Sequence, residues 1–584
     1  MPRLDQKAAA ESSPGAPGLV GPAASVVFGG AVGMPRALRW WRALALPLTL
    51  LLAAAATSAC RHVPAGTAAG TAGLPPPVVP SGFGVNIHFT RASAATWQAL
   101  GASGLRFIRM DLAWQVVEQA RGVYDFQSSG YDSLLRNLAQ HGIRPLLILD
   151  YCNTLYPSVN SAAGRAAFAN FAAAAANHFR GDHVVWELWN EPNGGFWACS
   201  GSGANAAEYT RLAVAAAAAM RHADPGAFII GPAESGYDVP WTQQVTEDGL
   251  LPSLDAFSLH PYRGSAPDTA RADFRTLRQW LAAHPVRGQP LPVVSSEWGY
   301  STVSVSQDQQ ADYLARMFLG NLRSEVDLSI WYDWSDDCQR GSNPECHFGL
   351  VRVDNGSISP KPAYTAARTL THVLSGYRYS PATDGDACPS GLHAVRLTKG
   401  QAAAEAVWTT GATTLAPLYV GGSTVTLISQ EGSRTEAQAP GGILRQLAYR
   451  HSVTYVLVGP GHMDPPPTPG ELHTFSLQDY VHLTLSSGAG QSEAAAIGAA
   501  AANGPVLVWK GVCGVHAYQI LASDRRGGGP LGLLWHRVAE VRTSYWAVPA
   551  SEHWTYYAVA AVGPTGLRSA RTASVRLGVA AGSP

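Results

Sequence analysis

From residue 83 to about 375, short apolar, β-branched runs alternate with longer stretches of helical periodicity. The β-type runs are GFGVNIHF (82–89), LRFIRMDL (105–112), RPLLILDY (144–151), VVWELWN (184–190), AFIIGPA (227–233), LDAFSLHPY (254–262), PVVSSEW (292–298) and LSIWYDW (328–334). Between them lie amphipathic stretches such as YDSLLRNLAQHG (131–142), AAEYTRLAVAAAAAMRHADP (206–225) and QDQQADYLARMFLGNLR (307–323). Eight β-runs alternating with helices predict an α/β fold, a (β/α)8 TIM barrel over 81–376. An open doubly wound sheet is the rival, but no Gly-rich phosphate loop follows the first strand.

After KPAYTAARTLTHVLSG (361–376) the pattern becomes β-rich and turn-rich. A small β-sandwich is expected over 377–462, then a Pro-rich linker (463–472) and a second β-sandwich (473–584). In that last segment a Trp in an early strand, then Tyr-x-Ile, then TYYAVAAVG resembles a fibronectin type III domain.

The N-terminus changes the picture of location. Arg36, Arg39 and Arg42 precede an apolar run from Ala43 to Ala56, too short for a comfortable membrane span. Residues 1–60 therefore read as an export signal. Thr57-Ser58-Ala59-Cys60 resembles a lipoprotein cleavage site, which implies a membrane tether through a lipid on Cys60. Residues 61–80, rich in Gly, Ala and Pro, read as a linker. Of the 7 cysteines, six remain beyond Cys60, an even number suited to disulfides in an oxidising compartment. Cys338–Cys346 and Cys152–Cys199 are the pairs expected. Lys+Arg and Asp+Glu both number 41, so no basic excess points to nucleic acid. Without CxxC or HExxH, a zinc site is not expected, and no cofactor is.

The chemistry lies at strand ends. In a barrel of this type functional side chains sit where strands finish. Glu191 follows the fourth strand in VVWELWNEPN, and Glu297 ends the seventh in VVSSEWGY. Strands four and seven lie nearly opposite, so both carboxylates face one cleft. A pair of carboxylates, one neutral and one ionised, is the requirement of glycosidic bond cleavage. Arg109, at the end of the second strand, is the cation expected to hold Glu297 ionised. Trp189, Phe196 and Trp197 around Glu191 are expected to favour its neutral form. His260 and Tyr262 could donate hydrogen bonds to Glu297 or to a sugar. Of the strand-end aromatics, Trp331 is the candidate stacking platform, with Trp197 and His88 as further candidate contacts. Trp114 and Trp298 read as packing, Glu187 as a barrel-interior acid in an ion network, and Asp111 and Asp333 as acids that orient neighbours.

WNEPN with a downstream strand-end glutamate resembles clan A of the glycoside hydrolases, as do RMDLAWQVVEQARGVYDF (109–126) and FGLVRVDNGSISPKPAY (348–364). Family 39 and family 5 members are the nearest in kind. The resemblance implies a retaining mechanism with Glu191 as acid/base and Glu297 as nucleophile. It also implies that Asn190 contacts the sugar 2-hydroxyl and Arg109 the nucleophile. The expected function is thus an exported retaining glycoside hydrolase acting on a polysaccharide or oligosaccharide. The alternatives are a non-catalytic carbohydrate-binding surface protein and a transglycosylase that remodels exopolysaccharide. The substrate loops 194–203 and 336–349 match no subfamily, which leaves the sugar open.

Overall fold

A computed structural model describes residues 73–584 except 337, 339–340, 355–356, 383, 385–387, 390, 461–465, 467–469, 476–504, 525–534, 573 and 577–584. The export signal and Cys60 lie outside the described residues. Eight parallel strands close a barrel: β1 (Phe83–Asn86), β2 (Phe107–Ala113), β3 (Arg144–Asp150), β4 (Val185–Leu188), β5 (Phe228–Ser235), β6 (Ala256–His260), β7 (Val293–Trp298) and β8 (Val326–Trp331). Each expected run holds one strand, and helices Tyr131–Gln140, Ala206–Ala223 and Gln307–Arg323 fill the expected gaps. The last two start where the sequence offers caps: Asn205 accepts from Glu208 N–H and Ser306 from Gln309 N–H.

The barrel is a packed core. Phe107, Leu146, Ile148, Val185, Ile230, Ala256, Val294, Leu328 and Ile330 fill its interior as one buried apolar floor. Above that floor the inward-facing positions turn polar, and the candidate site begins there. A larger apolar layer lies between strands and helices and holds Trp114, Trp186, Trp298 and Trp334, all buried.

Antiparallel sheets follow. A six-stranded sheet runs Arg378–Tyr379, Leu392–Lys399, Ala402–Thr409, Thr454–Val458, Thr424–Ile428, Arg434–Gln438 in spatial order, with a two-stranded sheet of Thr414–Tyr419 and Ile443–Tyr449 beside it. It is joined to the barrel by Asp268, which accepts from Trp408 Nε1 at 2.7 Å and pairs with buried Arg316. Three-stranded and four-stranded sheets occupy the C-terminal part.

Two linker readings are corrected. Residues 77–80 are docked: Val79 N–H donates to Tyr377 O at 2.9 Å, Tyr379 N–H to Pro77 O at 3.0 Å, and Val79 is buried. A strand, Gly470–Phe475, begins inside 463–472 because it finds a partner in Val506–Lys510. Disulfides join Cys152–Cys199, Cys338–Cys346 and Cys388–Cys513. The first two are the expected pairs, and such bonds persist in oxidising compartments. Among the described residues no helix is long and apolar enough to cross a membrane.

Candidate active site

On β2, Phe107 belongs to the barrel floor, so strand alternation also turns Arg109 and Asp111 inward. Arg109 is 1% exposed and every N–H of its guanidinium has a partner. Nε donates to Glu187 at 2.7 Å. Nη1 donates to Asn86 Oδ1 at 3.2 Å and to Glu297. Nη2 donates to Asn190 Oδ1 at 2.8 Å and lies 3.3 Å from His260 Nε2. Burial alone would lower the Arg109 pKa, but Glu187 and Glu297 outweigh it and raise it, so the charge is secure. Glu187 is fully buried, which raises its pKa, yet Arg109 brings the net value below the usual range. It is the barrel-interior ion partner that its position implied.

Glu191 is not on the strand proper. It sits in a turn after β4 with φ 45°, two residues beyond Trp189 at φ 72°. Both lie in the left-handed region that side chains disfavour, at a cost of order 1–3 kcal/mol each. The surroundings hold the turn: Glu191 N–H donates to Ala233 O at 3.0 Å, and Asn193 exchanges hydrogen bonds with the Ser235 backbone at 3.0 and 2.8 Å. One Glu191 oxygen lies 3.0 Å from His260 Nδ1. Arginine only donates, so His260 Nε2 must accept from Arg109; the proton is then on Nδ1 and points at Glu191.

Glu297 reaches the mouth through a fault in β7. Alternation from the floor residue Val294 would turn Ser296 inward and Glu297 outward, but the β7–β8 register slips between Ser295 and Trp298. Gly299 then passes so close to β8 that a Cβ there would sit 1.8 Å from Tyr332 O. The Glu297 carboxylate accepts from Arg109 on one oxygen and from Tyr262 OH, at 2.9 Å, on the other. Burial first, then Glu297, push the Tyr262 hydroxyl well up, so it stays a donor. A Glu191 oxygen, a Glu297 oxygen and a His260 nitrogen lie within 4.8 Å of one another. This trio suits hydrogen bonding better than a metal, because Nδ1 carries the proton and both Glu297 oxygens are engaged.

Three expectations are corrected. Burial raises the Glu191 pKa, but the hydrogen bond from His260 and its field win, so the net shift is down. The indoles expected to keep Glu191 neutral point away: Trp189 Nε1 donates to Phe196 O, and Trp197 packs behind Trp189 at 4.9 Å. Trp197 is 0% exposed and presents no face to the mouth. Trp331 is likewise 0% exposed, since alternation from the floor residue Ile330 turns it toward the helices. The same alternation turns Tyr332 inward. It is partly exposed, between His88 at 5.4 Å and Phe348 at 5.2 Å, with its hydroxyl donating to Glu345 at 3.1 Å.

His88 lines the mouth, one-third exposed, with its ring near Asn86 (2.9 Å) and Asp333 (3.6 Å). Sequence reasoning passed over Asn86, Tyr151 and Tyr332, and took Phe196 only as a neighbour of Glu191. Phe196 is 50% exposed and stacks on Tyr151, ring centroids 5.8 Å apart. Alternation from Ile330 was the available signal for Tyr332; Phe196 lies in a loop and gave none.

A family model described as Cellulase (glycosyl hydrolase family 5) matches residues 77–337. A β-xylosidase of Geobacillus stearothermophilus is 28% identical over 207 residues, covering 31% of this chain and 40% of that enzyme. The chain thus matches about two-fifths of the length of that curated relative. A family 39 glycoside hydrolase from Bacteroides cellulosilyticus WH2 superposes with a TM-score of 0.58 at 23% identity, over 65% of this chain and 81% of that one.

Proposed function

From a barrel that is of the clan A glycoside hydrolase type, we propose that the protein is a retaining O-glycosyl hydrolase acting on a polysaccharide or oligosaccharide. Glu297 attacks the anomeric carbon while Glu191 delivers a proton to the departing oxygen. Glu191, now a base, then draws a proton from water, which displaces Glu297 from the sugar. The observation that carries this reading is the approach of the two carboxylates to within 4.8 Å. Retaining pairs stand about 5–5.5 Å apart and inverting pairs leave about 6.5–9.5 Å for a water. Arg109 and Tyr262, each donating to one Glu297 oxygen, support the orientation that a nucleophile needs. Asn190, fixed by Arg109, is placed to meet the 2-hydroxyl, and Tyr332 offers the ring face on which a sugar stacks.

Because a relative is a β-xylosidase, β-xylosides head the substrate panel, beside other pentosides and hexosides. The test is hydrolysis of aryl glycosides and plant and bacterial glycans, with NMR assignment of the first-formed anomer. Glu297→Gln should leave less than about 1% of turnover in a folded protein. Substantial residual activity, or an inverted first product, sinks the mechanism. Export belongs to the same reading and is supported by the three disulfides, and a lipid on Cys60 is part of that proposal. Mass spectrometry of the mature N-terminus checks both. The C-terminal three-stranded and four-stranded sheets support a fibronectin type III-like module for 473–584.

A further inference from the structure

Two carboxyl groups on the barrel wall have no part in that scheme. Asp111 lies two residues beyond Arg109 on the same inward face of β2, about 7 Å further along at ~3.3 Å per residue. Asp150 ends β3, and alternation from the floor residue Ile148 turns it inward as well. Asp150 is fully buried, and neither of its oxygens meets an N–H or hydroxyl donor. Asp111 is its inward-facing neighbour on the adjacent strand, where β2 and β3 pair Asp111 with Ile148 and Ala113 with Asp150. Burial first, and then Asp111, hold Asp150 well above the usual carboxylate range. Asp150 therefore keeps its proton. Asp111, half-buried on the inward face of β2, offers acceptor oxygens.

This wall has no cation to spare. Arg109 and Arg144 are the only arginines within β1 to β8, which hold no lysine, and the one histidine there, His260, is engaged by Arg109 and Glu191. Arg109 has committed every N–H, and Arg144 opens β3 at the opposite end, bonded to the His183 and Gly73 carbonyls. An anionic group facing Asp111 would meet a second carboxyl group with no cation beside it to pair with, whereas a hydroxyl or amine would find an acceptor.

We propose that Asp111, oriented by Asp150, receives the O–H or N–H donors of one glycosyl unit, so that the mouth takes a neutral or amino sugar there and rejects a uronic acid. The inference rests on the hydrolase reading for the presence of a sugar. Asp111 contacts the ligand; Asp150 is a positioning residue.

The full chain carrying Glu297→Gln is the host for the test, because binding is then read without turnover. Calorimetric titration with methyl β-xyloside, glucoside, glucosaminide and glucuronide should show at least one of the first three bound, and the glucuronide at least ten-fold weaker. The glucosaminide and glucoside arms separate an amine from a hydroxyl as the preferred donor. Adding Asp111→Asn should bring the glucuronide to within about three-fold of the neutral glycosides. Adding Asp111→Ala should weaken the preferred ligand about ten-fold or more. Asp150→Asn, whose amide can donate where the protonated acid did, should retain binding; Asp150→Ala should lose it as Asp111→Ala does. Glucuronide binding equal to the others, no glycoside bound, or ratios that ignore Asp111 would each overturn the proposal. Turnover of the same sugars as aryl glycosides by the unsubstituted chain reports separately on hydrolysis. Hydrolysis with unaltered ratios defeats this inference alone, and selective binding without hydrolysis defeats the enzymatic reading alone.

Discussion

Arg109 and Glu297 are ion-paired across the mouth of the barrel, from β2 to β7, with the guanidinium 1% and the carboxylate 12% exposed. The same guanidinium holds buried Glu187 on its Nε side. One planar cation therefore couples the floor of the site to the proposed nucleophile. Lysine would keep the charge but lose the fork. Arg109→Lys is expected to lower kcat/KM by about 10²-fold or more through misplacement of Glu297 and Asn190. Arg109→Met leaves Glu187 charged and unpaired, at about 3–5 kcal/mol of stability. Adding Glu187→Gln should recover part of that loss in chemical denaturation. A double substitution no more stable than Arg109→Met would mean that Glu187 does not depend on Arg109.

In the proposed reaction Glu191 has to be protonated to act as the acid, yet His260 draws its pKa below the usual value. The direction of the pH effect follows. A general acid works below its pKa, so the basic limb of the pH–rate profile tracks Glu191. His260→Ala removes the donated hydrogen bond, raises the Glu191 pKa and moves that limb to higher pH. Activity at the new optimum should still fall, because Glu191 and Glu297 lose the ring between them. The measurement is kcat/KM against pH for both proteins. A limb that stays in place or moves down would remove His260 from control of the acid.

Trp331 and Tyr332 are neighbours in sequence with opposite fates. Trp331 packs near Tyr300 and donates to Phe348 O at 3.4 Å, out of reach of the mouth. Trp331→Ala should behave as a core truncation, costing about 3–5 kcal/mol. Tyr332→Ala should leave thermal stability nearly unchanged and reduce kcat/KM about ten-fold or more, as loss of a stacking face does. Differential scanning fluorimetry and kinetics on one aryl glycoside separate the two. Full activity in Tyr332→Ala would remove the platform.

How far the sequence could be read depends on periodicity. The eight strands were legible because each is an apolar run between helices, and Glu191 because Asn-Glu-Pro-Asn interrupts such a run. Orientation was less legible. Glu297 faces inward through a register slip that no pattern in VVSSEW announces. Trp197 and Trp331 drew attention as large aromatics, although size says nothing about which side of a strand or loop they take. The Glu191 environment was misread for a related reason. The neighbouring indoles are close in sequence, whereas His260, which governs the carboxyl, is 69 residues away and meets it only in the closed barrel. The docked residues 77–80 and the strand Gly470–Phe475 were hidden by Pro- and Gly-rich composition that pairs once a partner edge is present.

The rim of the cleft is fastened by Cys152–Cys199, which ties the segment after β3 to the 3-10 turn Gly195–Ser200. That turn carries half-exposed Phe196, stacked on Tyr151 beside the cystine. An apolar ring held at the edge of a sugar cleft meets units beyond the scissile bond, so it matters for long substrates and not for short ones. Paired Cys152→Ser and Cys199→Ser substitutions release a 47-residue loop and should cost about 2–4 kcal/mol. KM for an oligosaccharide is then expected to rise several-fold while KM for an aryl monoglycoside hardly changes. Phe196→Ala should reproduce the oligosaccharide effect with little loss of stability, which isolates the ring from the bond that holds it. If both substrates respond alike to Phe196→Ala, the ring touches the reacting sugar and the rim assignment is wrong.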